Sequence, residues 1–183
     1  MNRYGKYMLM KLIRAIIAVV LVCGYAGAEE SGALQLDLNQ QVIYCAVEWQ
    51  GNRESLSQAL QAGITVTFVW QVQVDKKRNY WINKTIADIR VTRRVLPDLL
   101  SRSWVLEDEA SGISRRATTL DEAIRFLARL EHFPVLDRSL LAAATPYRIS
   151  VRVAEQEGEI KQAWWGTLWK SVQFSTEKDF SLP

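Results

Sequence analysis

Ile64-Thr65-Val66-Thr67-Phe68-Val69-Trp70-Gln71-Val72-Gln73-Val74 decides the fold class of this chain. Ile64, Val66, Phe68, Trp70, Val72 and Val74 alternate with Thr65, Thr67, Val69, Gln71 and Gln73. A helix would scatter that apolar set around its circumference, whereas a strand lines it up on one face, so a long, half-buried strand is predicted. Asp75-Lys76-Lys77-Arg78-Asn79 is short and polar and predicts a hairpin connection. Tyr80 to Val95 then returns as the partner strand through Ile82, Ile86, Ala87, Ile89 and Val91. The cations at that turn disfavour edge-to-edge association.

The same period of two extends in both directions. Ala33 to Trp49 is strand-like with a break near Asn39-Gln40, and its alternation puts Cys45 on one face with Ile43, Val47 and Trp49 as a buried, inert thiol. Glu54 to Ala62 predicts a short helix with Leu56 and Leu60 inward, a capping box from Ser55 and Gln58, and Gly63 as a left-handed stop. After Pro97-Asp98, Leu99 to Glu107 predicts a strand, Glu107 to Gly112 a turn and Ile113 to Thr118 its partner. Thr119 caps a helix that lines up Leu120, Ala123, Ile124, Leu127 and Leu130 and stops before Pro134. Asp137 to Ala144 adds a helical turn, Tyr147 to Ala154 a strong strand, and Val172 with Phe174 a last one. The expectation is one α+β domain over residues 29–183. It is a mainly antiparallel, sandwich-like β-sheet with one or two packed amphipathic helices.

Residues 1–28 read as an export signal, with an uncleaved anchor as the alternative. Arg3, Lys6, Lys11 and Arg14 precede or open an uncharged run from Ala15 to Ala28, and Ala26-Gly27-Ala28 before Glu29 supplies small residues for cleavage. The run holds 14 residues, short of the ~18–20 that span a bilayer core. Val20-Leu21-Val22 lacks the small side chain that lipidation of Cys23 requires. The expected location is the periplasm, free or anchored to the inner membrane. Four of the 23 basic residues lie in this leader, which leaves 19 against 20 acids and a near-neutral remainder. That balance gives no global reason to expect nucleic acid or anionic lipid as a partner, and membrane contact is expected only through the amino-terminal segment if it stays uncleaved. Lys76-Lys77-Arg78, Arg93-Arg94 and Arg115-Arg116 read as solvated turn and strand-end charges. Once the leader departs, Cys45 is the sole thiol, so no internal disulfide holds the fold.

Catalytic chemistry finds little support. His132, the single histidine, reads as a helix-end residue facing the negative pole of the dipole, without a nucleophile partner. No metal set, phosphate loop or dinucleotide glycine pattern occurs, so no cofactor is expected and no catalytic or metal-binding residue is assigned. Glu107, Asp108 and Glu109 read as a solvated loop tip, with a carboxylate-dependent hydrolase as the least favoured function. Asn83-Lys84-Thr85 matches a glycosylation acceptor but falls inside a predicted strand. Seven tryptophans are present, and Trp164, Trp165 and Trp169 cluster as a candidate interaction surface.

Several segments together carry a resemblance to a known family. Leu60-Gln61-Ala62-Gly63-Ile64-Thr65-Val66, Lys77-Arg78-Asn79-Tyr80-Trp81, Leu100-Ser101-Arg102-Ser103-Trp104-Val105, Thr118-Thr119-Leu120-Asp121-Glu122-Ala123 and Tyr147-Arg148-Ile149-Ser150-Val151-Arg152 resemble the proteobacterial exported family known only as domain of unknown function 4390. The resemblance implies an exported protein without an assigned activity. It also implies an envelope partner such as a membrane sensor kinase, beside whose genes those of the family often lie. The leading expectation is therefore a non-enzymatic periplasmic interaction or sensing-accessory module. A tryptophan-lined binder of an apolar or carbohydrate ligand is the alternative. Amino-terminal sequencing of the protein from its native envelope is expected to begin at Glu29; an intact Met1 in washed membranes would instead establish the anchor.

Overall fold

The computed structural model describes residues 34–158 and 172–183. In chain order its elements are β1 (Gln35–Asp37), β2 (Val42–Glu48), α1 (Arg53–Gln61), β3 (Val66–Lys76), β4 (Lys84–Asp98), β5 (Ser103–Asp108) and β6 (Ile113–Ala117). There follow α2 (Leu120–Ala128), β7 (Arg129–Asp137), a 3-10 turn (Arg138–Leu140), β8 (Pro146–Glu157) and β9 (Val172–Ser181). All pairings are antiparallel. A small sheet runs β1-β2-β7 and a large one β6-β5-β4-β3-β8-β9. The expected antiparallel sheets and packed helices are present; the leader lies outside the described residues.

β3 pairs with β4 on one side and β8 on the other from Val66 to Lys76. Val66, Phe68, Trp70, Val72 and Val74 face the core and are fully buried. Each such side chain contributes about 1.5–3 kcal/mol by leaving water. The opposite face is not open as expected, because Thr67, Val69 and Gln71 are buried as well. A central strand has side-chain neighbours on both flanks: Arg94 and Gln156 stand opposite Thr67, Arg90 and Arg152 opposite Gln71. Gln71 donates to Asp88 Oδ1 at 2.7 Å, so its buried amide is satisfied.

One core joins both sheets and both helices. The Trp70 indole donates to the Leu127 carbonyl at 3.2 Å, tying β3 to α2. Trp49 packs edge-on against Phe68 at 4.9 Å, and its amide donates to the Ala128 carbonyl at 2.8 Å. Ile43, Cys45, Val47 and Trp49 share the inward face of β2 and its continuation, as alternation requires. Burial pushes the Cys45 thiol up to about 12, so it stays protonated and inert.

Several boundaries differ from expectation. The α1 cap is Asn52, not Ser55: its side chain accepts from the amides of Glu54 and Ser55 at 3.0 and 3.1 Å. Gly63 does close that helix at φ +82°. Thr119 caps α2 as read, accepting from Glu122 at 3.3 Å. α2 is shorter than predicted and ends at Ala128, so Leu130 lies in β7, opposite Val47. Arg93 fastens that end. Its guanidinium donates to the carbonyls of Phe126 (3.0 Å) and Arg129 while pairing with Asp108 at 3.2 Å. Arg93 is thus a largely buried anchor and not a solvated strand-end charge. β4 runs past the expected Val95 and ends at Asp98, the Pro97-Asp98 pair forming its last two residues. Pro97 lies beyond the last β3 partner, Val95, where one side of β4 has no β3 partner.

Gly51 packs on the core at close range, since a Cβ there would fall inside the Trp49 indole ring. Gly51→Ala is expected to lower unfolding free energy by about 1–3 kcal/mol in urea denaturation. The loss should shrink when Trp49 is first replaced by Leu, because the clash then has no partner.

Candidate functional site

The β3–β4 ladder ends at Lys76 opposite Lys84, and residues 77–83 project beyond it. Tyr80, Trp81 and Ile82 stand at its tip, 93%, 80% and 92% exposed. Sequence periodicity assigned them to the returning strand, but two hydrogen bonds divert the chain. The Lys77 amide donates to the Pro146 carbonyl at 3.0 Å, toward β8, and the Arg78 amide donates to Asn83 Oδ1 at 3.3 Å, closing a loop. Asn79 and Asn83 bracket the three large residues. That pair of turn formers was the signal available in the sequence.

The base of the loop is held by ionic contacts. Lys77 Nζ lies 2.7 Å from Asp179, and Arg148 donates to the same carboxylate at 2.8 and 3.3 Å. These two cations hold the Asp179 carboxyl down from 3.8 to about 2, Arg148 being the larger cause. Asp75 accepts from Thr85 at 2.8 Å and from Gln73 at 2.9 Å. Lys76, Arg78 and Lys84 form no ion pair among the described residues. Beside the hairpin, Ala142–Ala144 and Pro146 are exposed, with the Ala144 amide donating to the Leu182 carbonyl at 3.1 Å.

Trp164, Trp165 and Trp169 lie outside the described residues. The described chain breaks off at Gly158, whose amide donates to the Thr65 carbonyl, and resumes at Val172, which pairs with Ala154 of β8. Three open clefts are described, and no tryptophan lines them. One, about 440 Å³, places Arg93 and Arg115 over the Phe126 ring at 5.0 and 5.9 Å. Its charges are balanced, since Arg115 pairs with Glu122, Arg125 with Asp121 and Arg129 with Glu48 and Glu131. Another, about 400 Å³, is lined by Glu107, Asp108 and Glu109. The first two are not loop-tip acids. They lie in β5 and pair with Arg94 (3.4 Å) and Arg93 (3.2 Å), and Asp108 also accepts from the amides of Ala110 and Ser111.

His132 is not at a helix end. It lies within β7 at φ +46°, where two residues oppose one on β2, and its ring stacks on Tyr44 at 3.9 Å and 7°. The chain enters β7 immediately after α2 because Arg129 is already extended, at φ −130° and ψ 131°. Asn83 is exposed and immediately precedes β4, which begins at Lys84, so the Asn83-Lys84-Thr85 match straddles the start of the strand and does not lie wholly inside it.

A family model described as Domain of unknown function (DUF4390) matches residues 30–159, from before β1 through the whole of β8. The chain belongs to the DUF4390 family. No curated protein and no solved structure matches it. The hairpin tip falls inside the DUF4390 span, whereas Trp164, Trp165, Trp169 and β9 fall beyond it.

Because β9 supplies Asp179, the support for the DUF4390 hairpin comes partly from outside the matched segment. The Asp179 pKa is depressed on folding, so its stabilisation is present above pH 4 and disappears as pH falls toward 2. Asp179→Asn is expected to cost about 0.5–1 kcal/mol at pH 7, kept small by solvent screening of a half-exposed pair. In parallel urea titrations the gap from the parent protein should close between pH 5 and pH 2.

Proposed function

We propose that this chain is a non-enzymatic interaction module of the cell envelope, exported by its amino-terminal segment. It acts as an accessory to an envelope protein such as a membrane sensor kinase. The observation that carries this is the hairpin tip: three consecutive large side chains, two of them aromatic, held in water on a braced loop. Leaving such groups exposed forfeits the stabilisation that burial would bring, and residues of this kind dominate docking contacts. The charged groups of the clefts support the same reading, because their acids and arginines are engaged with one another. Docking through the tip leaves the core undisturbed, since the loop contacts the sheet only at its base.

A photo-crosslinking residue at Asn79 in otherwise intact cells is expected to capture an envelope protein. Capture should fall at least severalfold when Tyr80, Trp81 and Ile82 are all replaced by Ser. Recovery of the chain alone, or capture indifferent to the three replacements, would overturn the reading.

A further inference from the structure

Building on the docking role of the tip, we propose that the surface it meets is a bilayer interface containing anionic phospholipid, into which Tyr80, Trp81 and Ile82 insert. Tryptophan and tyrosine favour the headgroup level, where the ring is in an apolar setting and its N–H or O–H remains hydrated. Ile82 between Trp81 and Asn83 supplies a purely apolar contact at the same depth.

Charge points the same way. Residues 76–87 hold Lys76, Lys77, Arg78 and Lys84 and no acid before Asp88. Lys77 is shared with Asp179, but Lys76 and Lys84 at the base of the loop and Arg78 within it have no ion-pair partner among the described residues. Such cations are drawn to anionic headgroups and keep their hydration while the tip enters. Of the nearest acids, Asp179 and Glu177 are ion-paired with Lys77 and Arg148, while Asp75 accepts only from neutral Thr85 and Gln73 and keeps its charge, which leaves Lys76, Arg78 and Lys84 in excess.

The three side chains stand together, 80–93% exposed, and a headgroup layer can accept them without a matching pocket. The adjoining segment from Leu140 to Tyr147 carries no charge and is exposed at Leu140, Ala142–Ala144 and Pro146. Since Lys77 bonds to Pro146, this segment sits beside the hairpin and can approach headgroups without stripping water from an ion. Arg78–Asn83 closure keeps the three side chains presented together, reducing the ordering cost of insertion.

The test uses the full chain in a Cys23→Ser background, with an environment-sensitive dye on Asn79→Cys and, as a control, on Ser111→Cys at the β5–β6 turn. Cys45 is buried and remains unlabelled. The probes are phosphatidylcholine vesicles with and without phosphatidylglycerol. Expected is a blue shift at position 79 with the anionic vesicles and none at position 111. The half-saturating lipid concentration should rise about tenfold in the Tyr80→Ser, Trp81→Ser, Ile82→Ser variant. Arg78→Gln with Lys84→Gln should remove the preference for anionic vesicles. No shift at 79, equal shifts at both positions, or unchanged binding by the serine variant would overturn the proposal. Tip-dependent capture of an envelope protein in cells without any vesicle response overturns lipid insertion and leaves the interaction module standing. The reverse pattern overturns the protein partner and leaves the lipid surface.

Discussion

Everything in this fold hangs on β3 being paired along its whole length on both sides. Its antiparallel ladders to β4 and β8 fix the register of the three longest strands, and through them the places where β5 and β9 attach. The apolar face so assembled, Val66 through Val74, is the floor on which α1, α2 and the small sheet pack. Trp70 converts that packing into a directed contact by bonding to Leu127, and Arg93 does the same at the end of α2 from the neighbouring strand. Displacing β3 by one residue would turn Phe68 and Trp70 away from the helices.

The same ladders also determine where support stops. β3 and β4 are held together only as far as Lys76 and Lys84, and the chain between them is shaped by contacts to Pro146 and Asp179 on other strands. Exposure of Tyr80, Trp81 and Ile82 therefore does not reflect a weakly formed region. The loop is tethered at its base, bare at its tip and flanked at its base by Lys76 and Lys84.

Local pattern carried most of the secondary structure. The inward face of Val66 to Val74, the Thr119 cap and the inward face of Ile43, Cys45 and Val47 are properties of a few neighbouring residues, and each appears in the fold as read, although Ile64 lies outside β3 and is exposed. What was illegible depends on partners far along the chain. Nothing near Leu130 says that β2 will draw it out of the α2 pattern, and the bulge that places His132 against Tyr44 exists only once that pairing forms. Arg93 looked like a surface cation because Asp108 and the end of α2 are remote in sequence. For the candidate site the apolar run from Tyr80 to Ile82 was visible, but its exposure required knowing that Lys77 bonds to Pro146 instead of to β4. Ser55 lost the α1 cap to Asn52, whose side chain reaches two free amides, a choice that composition alone leaves open.

The contact between Lys77 and Asp179 joins residues 102 positions apart. Contacts of such sequence separation form late, because the intervening loop must be closed before they contribute anything. During vectorial synthesis, residue 179 emerges long after residue 81. The tip thus gains its brace only when the last of the described strands has docked. The exposed side chains of the tip therefore reach their final, braced arrangement only at the end of folding, with completion of the domain. A chain stalled before β9 would carry the same aromatic residues without that part of the brace.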